Sequence, residues 1–449
     1  MARARNTESK QSRKTPSRSA LETTPAQVMV PRLAVILPTM FLVAIGLVMV
    51  YSSSSIASFV EEGNSSEEAL KQVIFAVAGT FAAVAAYRFA TQNNLRGKIG
   101  WGYYFVCIAL LVLTPLVGSE ALGATRWIRI GPVGIQASEF LKIALVVAMA
   151  LIAEEYATGR IDVLDAIKRV GLLIVVPLLF LYLTQSDLGT TMICFVGLFT
   201  VLVCAGLPRS IIVAMVVFAV LFVVVSVVAT GYRSDRMIFL DPWSDPDDKG
   251  YQLIHSFQAI ASGGFFGTGV GNSYEKLQYL PEAETDFIFA IICEELGFVG
   301  GAGVIVAFVI LAYGGMRIAS KATSPLGSFV AAGLVAMLVF QAFLNIACVV
   351  GCAPTTGKPL PFISSGGSSM ISSLLLVGVV LAISFDSHNE GEYRQRRDNL
   401  RVVSRAEQGD APERGAERVD RGRSRSLSAR RAYGASSAIR VLPSRGKAR

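Results

Sequence analysis

The chain alternates between long apolar runs and short polar segments. A helix needs about 20 mostly apolar residues to cross a bilayer, and ten stretches approach that length. They are residues 33–51, 72–90, 102–118, 140–157, 169–184, 188–206, 210–230, 287–315, 327–350 and 368–385. This pattern predicts an all-α polytopic membrane protein with about ten transmembrane helices.

One long polar segment, residues 231–286, interrupts the pattern between the seventh and eighth spans. Within it, Tyr251 to Ser262 places Leu253, Phe257 and Ile260 on one face, which predicts a short amphipathic helix on the membrane surface. The glycines that follow, between residues 263 and 271, predict a flexible turn region.

Composition agrees with this topology and excludes an ordinary soluble enzyme. Of the 449 residues, 53% are apolar and only 16% are charged, against roughly 25% charged residues in a typical soluble domain. The net charge of +8 belongs to the tails, since residues 1–32 carry +5, residues 386–449 carry +7, and residues 33–385 carry −4. We therefore expect a membrane domain over 33–385, two basic tails of which the second is disordered, and no nucleic-acid partner.

The charges between the spans predict the orientation. Loops on one side are consistently basic, which places both termini in the cytoplasm and the 231–286 loop outside. Several cations then fall on the outer side, where an anionic ligand or a nearby acid must account for them; for Lys249 and Lys276 we expect a nearby acid. These cations are Arg126, Arg129, Arg233, Arg236, Lys249, Lys276 and Lys358.

Acidic residues mark the start of the eighth span. Thr285 is a candidate N-cap, which would place Asp286 in the first helical turn, either as a general base or as an ordinary helix-start acid. Glu294 lies deeper and should be paired or protonated. Gly297 and Gly301 have the spacing of a close helix contact.

Polar residues also recur near the outer ends of other spans. Glu139 and Lys142 are three residues apart and can pair on one helix face, while Gln185 and Asp187 occupy a very short turn. The segment from Pro354 to Ser369 is rich in proline, glycine and hydroxyl groups, and such a break at membrane depth normally lines a cavity. Together these residues predict an outward-facing cavity suited to an anionic lipid.

Several motifs identify the chain as similar to the SEDS family (shape, elongation, division and sporulation), and most closely to its cell-division branch. They span about residues 33–385. The motifs are Gly123-Ala-Thr-Arg-Trp127, Gln136-Ala-Ser-Glu-Phe-Leu-Lys142, Gln185-Ser-Asp-Leu-Gly-Thr190, Asp241-Pro-Trp243, Gly250-Tyr-Gln252, Leu280-Pro-Glu-Ala-Glu-Thr-Asp286, Glu294-Glu-Leu-Gly297 and Leu360-Pro-Phe-Ile-Ser-Ser-Gly-Gly-Ser-Ser369. Leu122, Ala137, Ser186 and Ser365 depart from the family pattern.

The resemblance implies a peptidoglycan glycosyltransferase that polymerises lipid II on the outer face of the membrane. The acid that the family requires falls on Asp286, which would deprotonate the acceptor sugar 4-hydroxyl for an inverting attack that releases undecaprenyl pyrophosphate. Arg126, Arg233, Arg236 and Lys358 would neutralise the pyrophosphate, and a divalent cation, Mg²⁺ or Mn²⁺, could share that task. The full set of substrate-binding residues expected is Arg126, Trp127, Glu139, Lys142, Gln185, Asp187, Arg233, Arg236, Glu282, Lys358, Ser364 and Ser368.

The same resemblance implies partners and a location. We expect a class B penicillin-binding protein transpeptidase and other divisome proteins at the division septum of the bacterial cytoplasmic membrane. Two alternatives remain open: a flippase for the same lipid-linked precursor, and a scaffold that recruits the transpeptidase. A sporulation paralogue is also compatible with the motifs.

Overall fold

A computed structural model describes residues 26–62, 66–121, 124–130, 133–229, 238–277 and 279–387. Most of the two predicted tails therefore lies outside the described residues, as do the candidate cations Arg233 and Arg236. The division into a membrane domain and two tails stays a prediction.

The described chain is mostly helical. Its helices are α1 (Ala26–Glu62), α2 (Glu67–Phe89), α3 (Gln92–Arg96), α4 (Lys98–Val117), α5 (Ala137–Ala157), α6 (Val163–Val170), α7 (Val176–Gln185), α8 (Leu188–Cys204), α9 (Arg209–Ala229), α10 (Tyr251–Gly263), α11 (Ile288–Ser320), α12 (Pro325–Val349) and α13 (Gly367–Ser387). A π-helical turn, Gly171–Val175, joins α6 to α7.

Within the described residues, seven helical stretches are long and apolar enough to cross a membrane, and they make this a multi-pass membrane protein. They are Val28–Ser55, Glu67–Phe89, Lys98–Val117, Val163–Gln185, Ile288–Ser320, Pro325–Val349 and Gly367–Ser387. The three other predicted spans coincide with α5, α8 and α9, of which α5 carries several charges and α8 has only 17 residues. The count of ten spans stays a prediction.

The most buried helices lie at the centre of the bundle. In α5 every residue from Ala137 to Glu154 except Phe140 is buried, and α12 and α13 are the most buried of the seven long spans. Outer helices leave large apolar side chains such as Phe81 and Leu116 uncovered. In a bilayer these side chains contact lipid rather than water.

A small antiparallel sheet joins α4 to α5, between two of the predicted spans. Its strands are β1 (Ser119–Ala121), β2 (Ala124–Ile130) and β3 (Val133–Ile135), in the order β1-β2-β3. Ile128 pairs with Ile135 across β2 and β3. The sheet carries Arg126 and Trp127 and delivers the chain to the buried start of α5.

The eighth span is broken, whereas the sequence predicted a continuous helix with Gly297 as a packing position. Gly297 has φ +67°, a backbone conformation that favours glycine. It lies nine residues past Ile288, about 14 Å along the helix axis. Its flanking backbone groups bond to the glycine-rich loop after α10: the amides of Thr268 and Gly269 donate to Glu294 and Glu295, and Phe298 donates to Gly264.

The predicted short helix is confirmed as α10, while its position on the membrane surface stays a prediction. The glycine run after it, predicted to be flexible, has a defined structural role. A side chain on Gly267 would place its Cβ 2.1 Å from the Glu295 carbonyl oxygen. The loop can therefore approach the broken helix only because glycine stands there. Backbone groups freed by the break are satisfied within the protein, as membrane depth requires.

Candidate functional site

Four buried charged residues predicted from sequence form two ion pairs. Lys142 Nζ lies 2.7 Å from Glu139 Oε2, and Lys358 Nζ lies 2.6 Å from Asp187 Oδ2, with all four side chains almost fully buried. The predicted pairing of Glu139 with Lys142 is confirmed. Because opposite charges match within each pair, the buried charge is balanced without a ligand.

The Asp187–Lys358 pair joins the α7–α8 turn to the segment before α13. Asp187 also accepts from the backbone amide and the hydroxyl of Thr190, at 2.9 and 2.8 Å, and so caps α8. Burial opposes the charged carboxylate, but Lys358 and the Thr190 donors outweigh it and hold the pKa of Asp187 below its usual range. The aspartate is thus an ionised partner that fixes Lys358.

The Glu139–Lys142 pair is extended by polar groups from two other helices. Lys142 donates to Gln341 Oε1 at 2.7 Å, and Ser372 donates to Glu139 at 2.9 Å. Gln341 in turn donates to the carbonyl of Pro359 at 3.0 Å. This chain of contacts connects α5, α12 and α13 with the residue that follows Lys358.

Asp286 lies beside the segment that carries Lys358. It is half-buried, and a Cβ on Gly357 would lie 3.5 Å from its Oδ2 atom. Burial and the neighbouring Glu282 raise the pKa of Asp286 to about 6, while Lys358 opposes the rise. A carboxylate with this pKa can accept a proton near neutral pH.

The expected N-cap at Thr285 is wrong. α11 begins at Ile288, two residues past Asp286, and its N-cap residue Phe287 provides no side-chain cap. The Thr285 hydroxyl instead donates to Glu282 Oε2 at 2.6 Å. Asp286 therefore sits in the turn before the helix, outside its first turn.

Two serines hold backbone segments around the site: Ser364 lies before α13 and Ser368 in its first turn. Ser364 Oγ donates to the carbonyl of Thr285 at 2.6 Å and accepts from the amide of Leu360 at 2.8 Å. Ser368 Oγ accepts from the amide of Gln136 at 3.0 Å and donates to Gly134 at 3.2 Å. Both hydroxyls, predicted to bind substrate, join the loops that surround the site.

Arg126, predicted to bind the diphosphate, makes hydrogen bonds within the protein. Its guanidinium donates to the carbonyls of Gln185 and Ser186, at 2.9 and 3.2 Å, at the end of α7. Trp127 is half-buried and packs against Gly134. The Gln185 side chain is fully buried, and both of its amide atoms lack a hydrogen-bond partner among the described residues.

A large apolar cavity of about 980 Å³ lies between α7, α8 and α9. Ile174, Leu178, Phe195 and Met215 are among its lining residues. Thr191 reaches it from α8 while its hydroxyl donates to the Asp187 carbonyl at 2.8 Å. At Thr191 the cavity therefore borders a residue that bonds to the backbone of Asp187.

Two residues of the site escaped the sequence analysis, namely Gln341 and Asn345 in α12. Asn345 Nδ2 donates to the carbonyls of Asp286 and Lys358, each at 2.8 Å. The signal was present in the sequence, because the two amides lie four residues apart within an apolar span and so share one helix face. Within the described residues, no group of three or more His, Cys, Asp or Glu is placed to hold a metal ion.

Comparison with known proteins gives consistent matches. The family described as cell cycle protein, which comprises FtsW, RodA and SpoVE, matches residues 32–389. A probable peptidoglycan glycosyltransferase FtsW from Trichlorobacter lovleyi is 38% identical over 353 residues, covering 78% of this chain and 92% of the relative. The stage V sporulation protein E of Bacillus subtilis is 36% identical over 369 residues, covering 79% and 97%.

Solved structures agree with these matches. A chain of a peptidoglycan synthase complex, described for its coordination of polymerization and crosslinking, superposes with a TM-score of 0.64 at 28% identity. The rod shape determining protein RodA of Thermus thermophilus superposes with a TM-score of 0.58 at 26% identity. Each match covers 79% of this chain and 97% of the other.

Proposed function

Since this chain belongs to the FtsW, RodA and SpoVE family of cell cycle proteins, we propose that it is a peptidoglycan glycosyltransferase that polymerises lipid II during cell division. The observation that carries the proposal is Asp286, a half-buried carboxylate with a pKa of about 6 beside the Lys358 segment. A general base is most effective when its pKa lies near the working pH.

Asp286 accepts the proton of the acceptor sugar 4-hydroxyl. The hydroxyl oxygen attacks the anomeric carbon of the donor from the face opposite the diphosphate, so that a β-1,4 bond forms as the carbon–oxygen bond to the diphosphate breaks. The electron pair leaves with undecaprenyl pyrophosphate, and the proton on Asp286 passes to water. A diphosphate is already a good leaving group, so the site needs less acid assistance than a glycosidase.

The apolar cavity supports a lipid-linked substrate. Its volume of about 980 Å³ is at the upper end of ordinary ligand pockets, and its lining residue Thr191 bonds to the Asp187 carbonyl. An isoprenoid chain could lie in the cavity while the diphosphate stays near Arg126 and Lys358. Trp127, Gln185 and Glu282 are proposed to contact the sugars or their substituents.

The diphosphate needs positive charge beyond the buried pairs. Glu139 balances Lys142 and Asp187 balances Lys358, and the Arg126 guanidinium is partly engaged by two carbonyls. We propose that Arg233 and Arg236 supply further charge. A Mg²⁺ or Mn²⁺ ion could share that charge through the phosphates of the substrate, but no cluster of three or more acidic, histidine or cysteine side chains is placed to hold one among the described residues, so no step is assigned to it.

The test is polymerisation of fluorescent lipid II by the purified full chain in detergent, with products resolved by length on a gel. We expect polymer from the parent protein and none from Asp286→Asn. The matched control is Asp247→Asn, the same chemical change at an exposed aspartate of the same loop, which should leave polymer formation intact. Detergent removes the second side of the membrane, so polymer formed there excludes a pure flippase.

The contrary results are equally definite. Flipping of lipid II in vesicles, with no polymer under any condition, would establish the transporter instead. Recruitment of the transpeptidase in cells by an Asp286→Asn variant that supports normal division would establish a scaffold.

We further propose a class B penicillin-binding protein transpeptidase as partner, together with other divisome proteins. The structural similarity to a chain of a peptidoglycan synthase complex supports this pairing. The termini are proposed to be cytoplasmic and the protein to lie at the septum of the cytoplasmic membrane. A fluorescent fusion should concentrate at midcell, whereas signal along the side wall or confined to sporulating cells would indicate another branch of the family.

A further inference from the structure

A single side chain of α12 bonds to the two segments that carry the charged residues beside the site. Asn345 Nδ2 donates one hydrogen bond to the Asp286 carbonyl and one to the Lys358 carbonyl, both at 2.8 Å. We infer that Asn345 is a positioning residue for the proposed reaction: it sets the separation of Asp286 and Lys358 and acts through them without touching substrate. The inference rests on the proposed function.

Both carbonyls need an outside partner because of where they lie. Asp286 precedes the first residue of α11, and Lys358 belongs to an irregular segment that includes Pro354, Pro359 and Pro361. Buried backbone carbonyls without a partner are costly. α12 supplies the donors from one face. Gln341, one helical turn before Asn345, donates to the Pro359 carbonyl.

The amide group is well suited to this double contact. An asparagine nitrogen carries two hydrogens at a fixed angle, so one atom serves both carbonyls and couples their positions. The amide orientation follows from the network, because the reverse orientation would set Oδ1 against two carbonyl oxygens. Oδ1 itself is buried with no partner among the described residues. The Asn345 side chain therefore acts here as a hydrogen-bond donor.

The surroundings of Asp286 make its titration a sensitive measure of this geometry. Glu282 lies on its own loop, Lys358 on the facing segment, and Cys348 on α12. The positive charge of Lys358 favours the ionised form of Asp286. The Lys358 ammonium pairs with Asp187, while Asn345 bonds to the Lys358 backbone. If Asn345 no longer bonds to both segments, Lys358 and Asp286 can separate, and the acidic limb of activity should move to higher pH.

The experiment uses the purified full chain with Asn345→Leu, which removes both donors at similar volume, and Asn345→Asp, which keeps the shape and replaces donors with acceptors. The matched control is Gln72→Leu. Gln72 is buried in α2 and its amide also donates to two carbonyls, those of Ile363 and Ser364, at 3.4 and 3.1 Å. Melting temperature in detergent is recorded for every variant, so that loss of fold is separated from loss of positioning.

Two readouts are taken. In lipid II polymerisation we expect kcat to fall about tenfold or more in both Asn345 variants, as for small misplacements of a catalytic group, with KM changed much less. Independently of activity, the pH dependence of carbodiimide labelling at Asp286, followed by mass spectrometry, should show a higher midpoint in both variants and an unchanged midpoint in Gln72→Leu.

The outcomes separate this inference from the proposed function. If the parent protein makes no polymer, the proposed function fails, while the labelling midpoint still reports whether Asn345 sets the environment of Asp286. If the parent is active but the Asn345 variants match Gln72→Leu in both kcat and midpoint, the positioning role is refuted. An unchanged or lower midpoint in folded Asn345 variants also refutes it.

Discussion

Lys358 and Asp187 stand 171 residues apart in the chain, yet their charged atoms lie 2.6 Å apart inside the bundle. The pair fixes the irregular segment before α13 against the start of α8. Asp187 also neutralises the positive charge of Lys358, the lysine that the family resemblance assigned to the diphosphate. In the proposed reaction the diphosphate would therefore share Lys358 with Asp187 or draw on other cations.

We predict that Lys358→Met destabilises the protein more than the double change Asp187→Asn with Lys358→Met. The single change leaves a buried carboxylate unpaired, which typically costs about 3–5 kcal/mol, while asparagine in the double variant still caps α8. Melting in detergent measures both. Equal melting temperatures for the single and double variants would show that Asp187 is not ionised in the folded protein.

The pH dependence of polymerisation should show an acidic limb with an apparent pKa of about 6. Asp286 must be deprotonated to act as the base, so activity falls as pH drops through the pKa of about 6 that burial and Glu282 give it. In Glu282→Gln the limb should move to lower pH, because the neighbouring negative charge that raises the pKa is gone. Initial rates between about pH 5 and 8 test both statements; a limb that stays in place in Glu282→Gln contradicts them.

Gly297→Ala should disrupt the broken helix. At φ +67° an added Cβ would lie 2.3 Å from the Gly267 nitrogen and 2.6 Å from the Phe265 oxygen, and strained backbone of this kind costs roughly 1–3 kcal/mol. The control is Gly303→Ala in the same helix, where the nearest atom, Phe41 Cζ, is 3.9 Å away. We expect a lower melting temperature for Gly297→Ala than for the parent protein, and an unchanged melting temperature for Gly303→Ala.

Lys276 offers a test of charge burial in the outer loop. The sequence predicted a nearby acid as the partner of Lys276. The partner is Glu295 of α11, at 2.9 Å, and Ser52 of α1 also bonds to its carboxylate. Lys276→Met should lower the melting temperature strongly because Glu295 is left buried and unpaired. Lys71→Met breaks a half-exposed pair with Glu67 and Glu68, for which we expect about 0–1 kcal/mol.

Much of the architecture follows from the sequence because the bilayer constrains it locally. An apolar run of sufficient length must be helical in lipid, since every backbone group needs an internal partner. All ten predicted spans therefore coincide with helices. The same locality made the Glu139–Lys142 pair predictable, as residues three apart share a helix face.

The tertiary structure decided which helices surround the site and what each polar group contacts there. Spacing along the chain cannot show that Lys358 reaches Asp187, that Lys276 reaches Glu295, or that the glycine loop satisfies the break at Gly297. The spacing of Gln341 and Asn345 indicates a shared helix face, but only the contacts of Asn345 with Asp286 and Lys358 reveal what it bonds to. Ion pairs and hydrogen bonds act over a few ångströms in space, so residues far apart in sequence become partners only once the bundle is assembled.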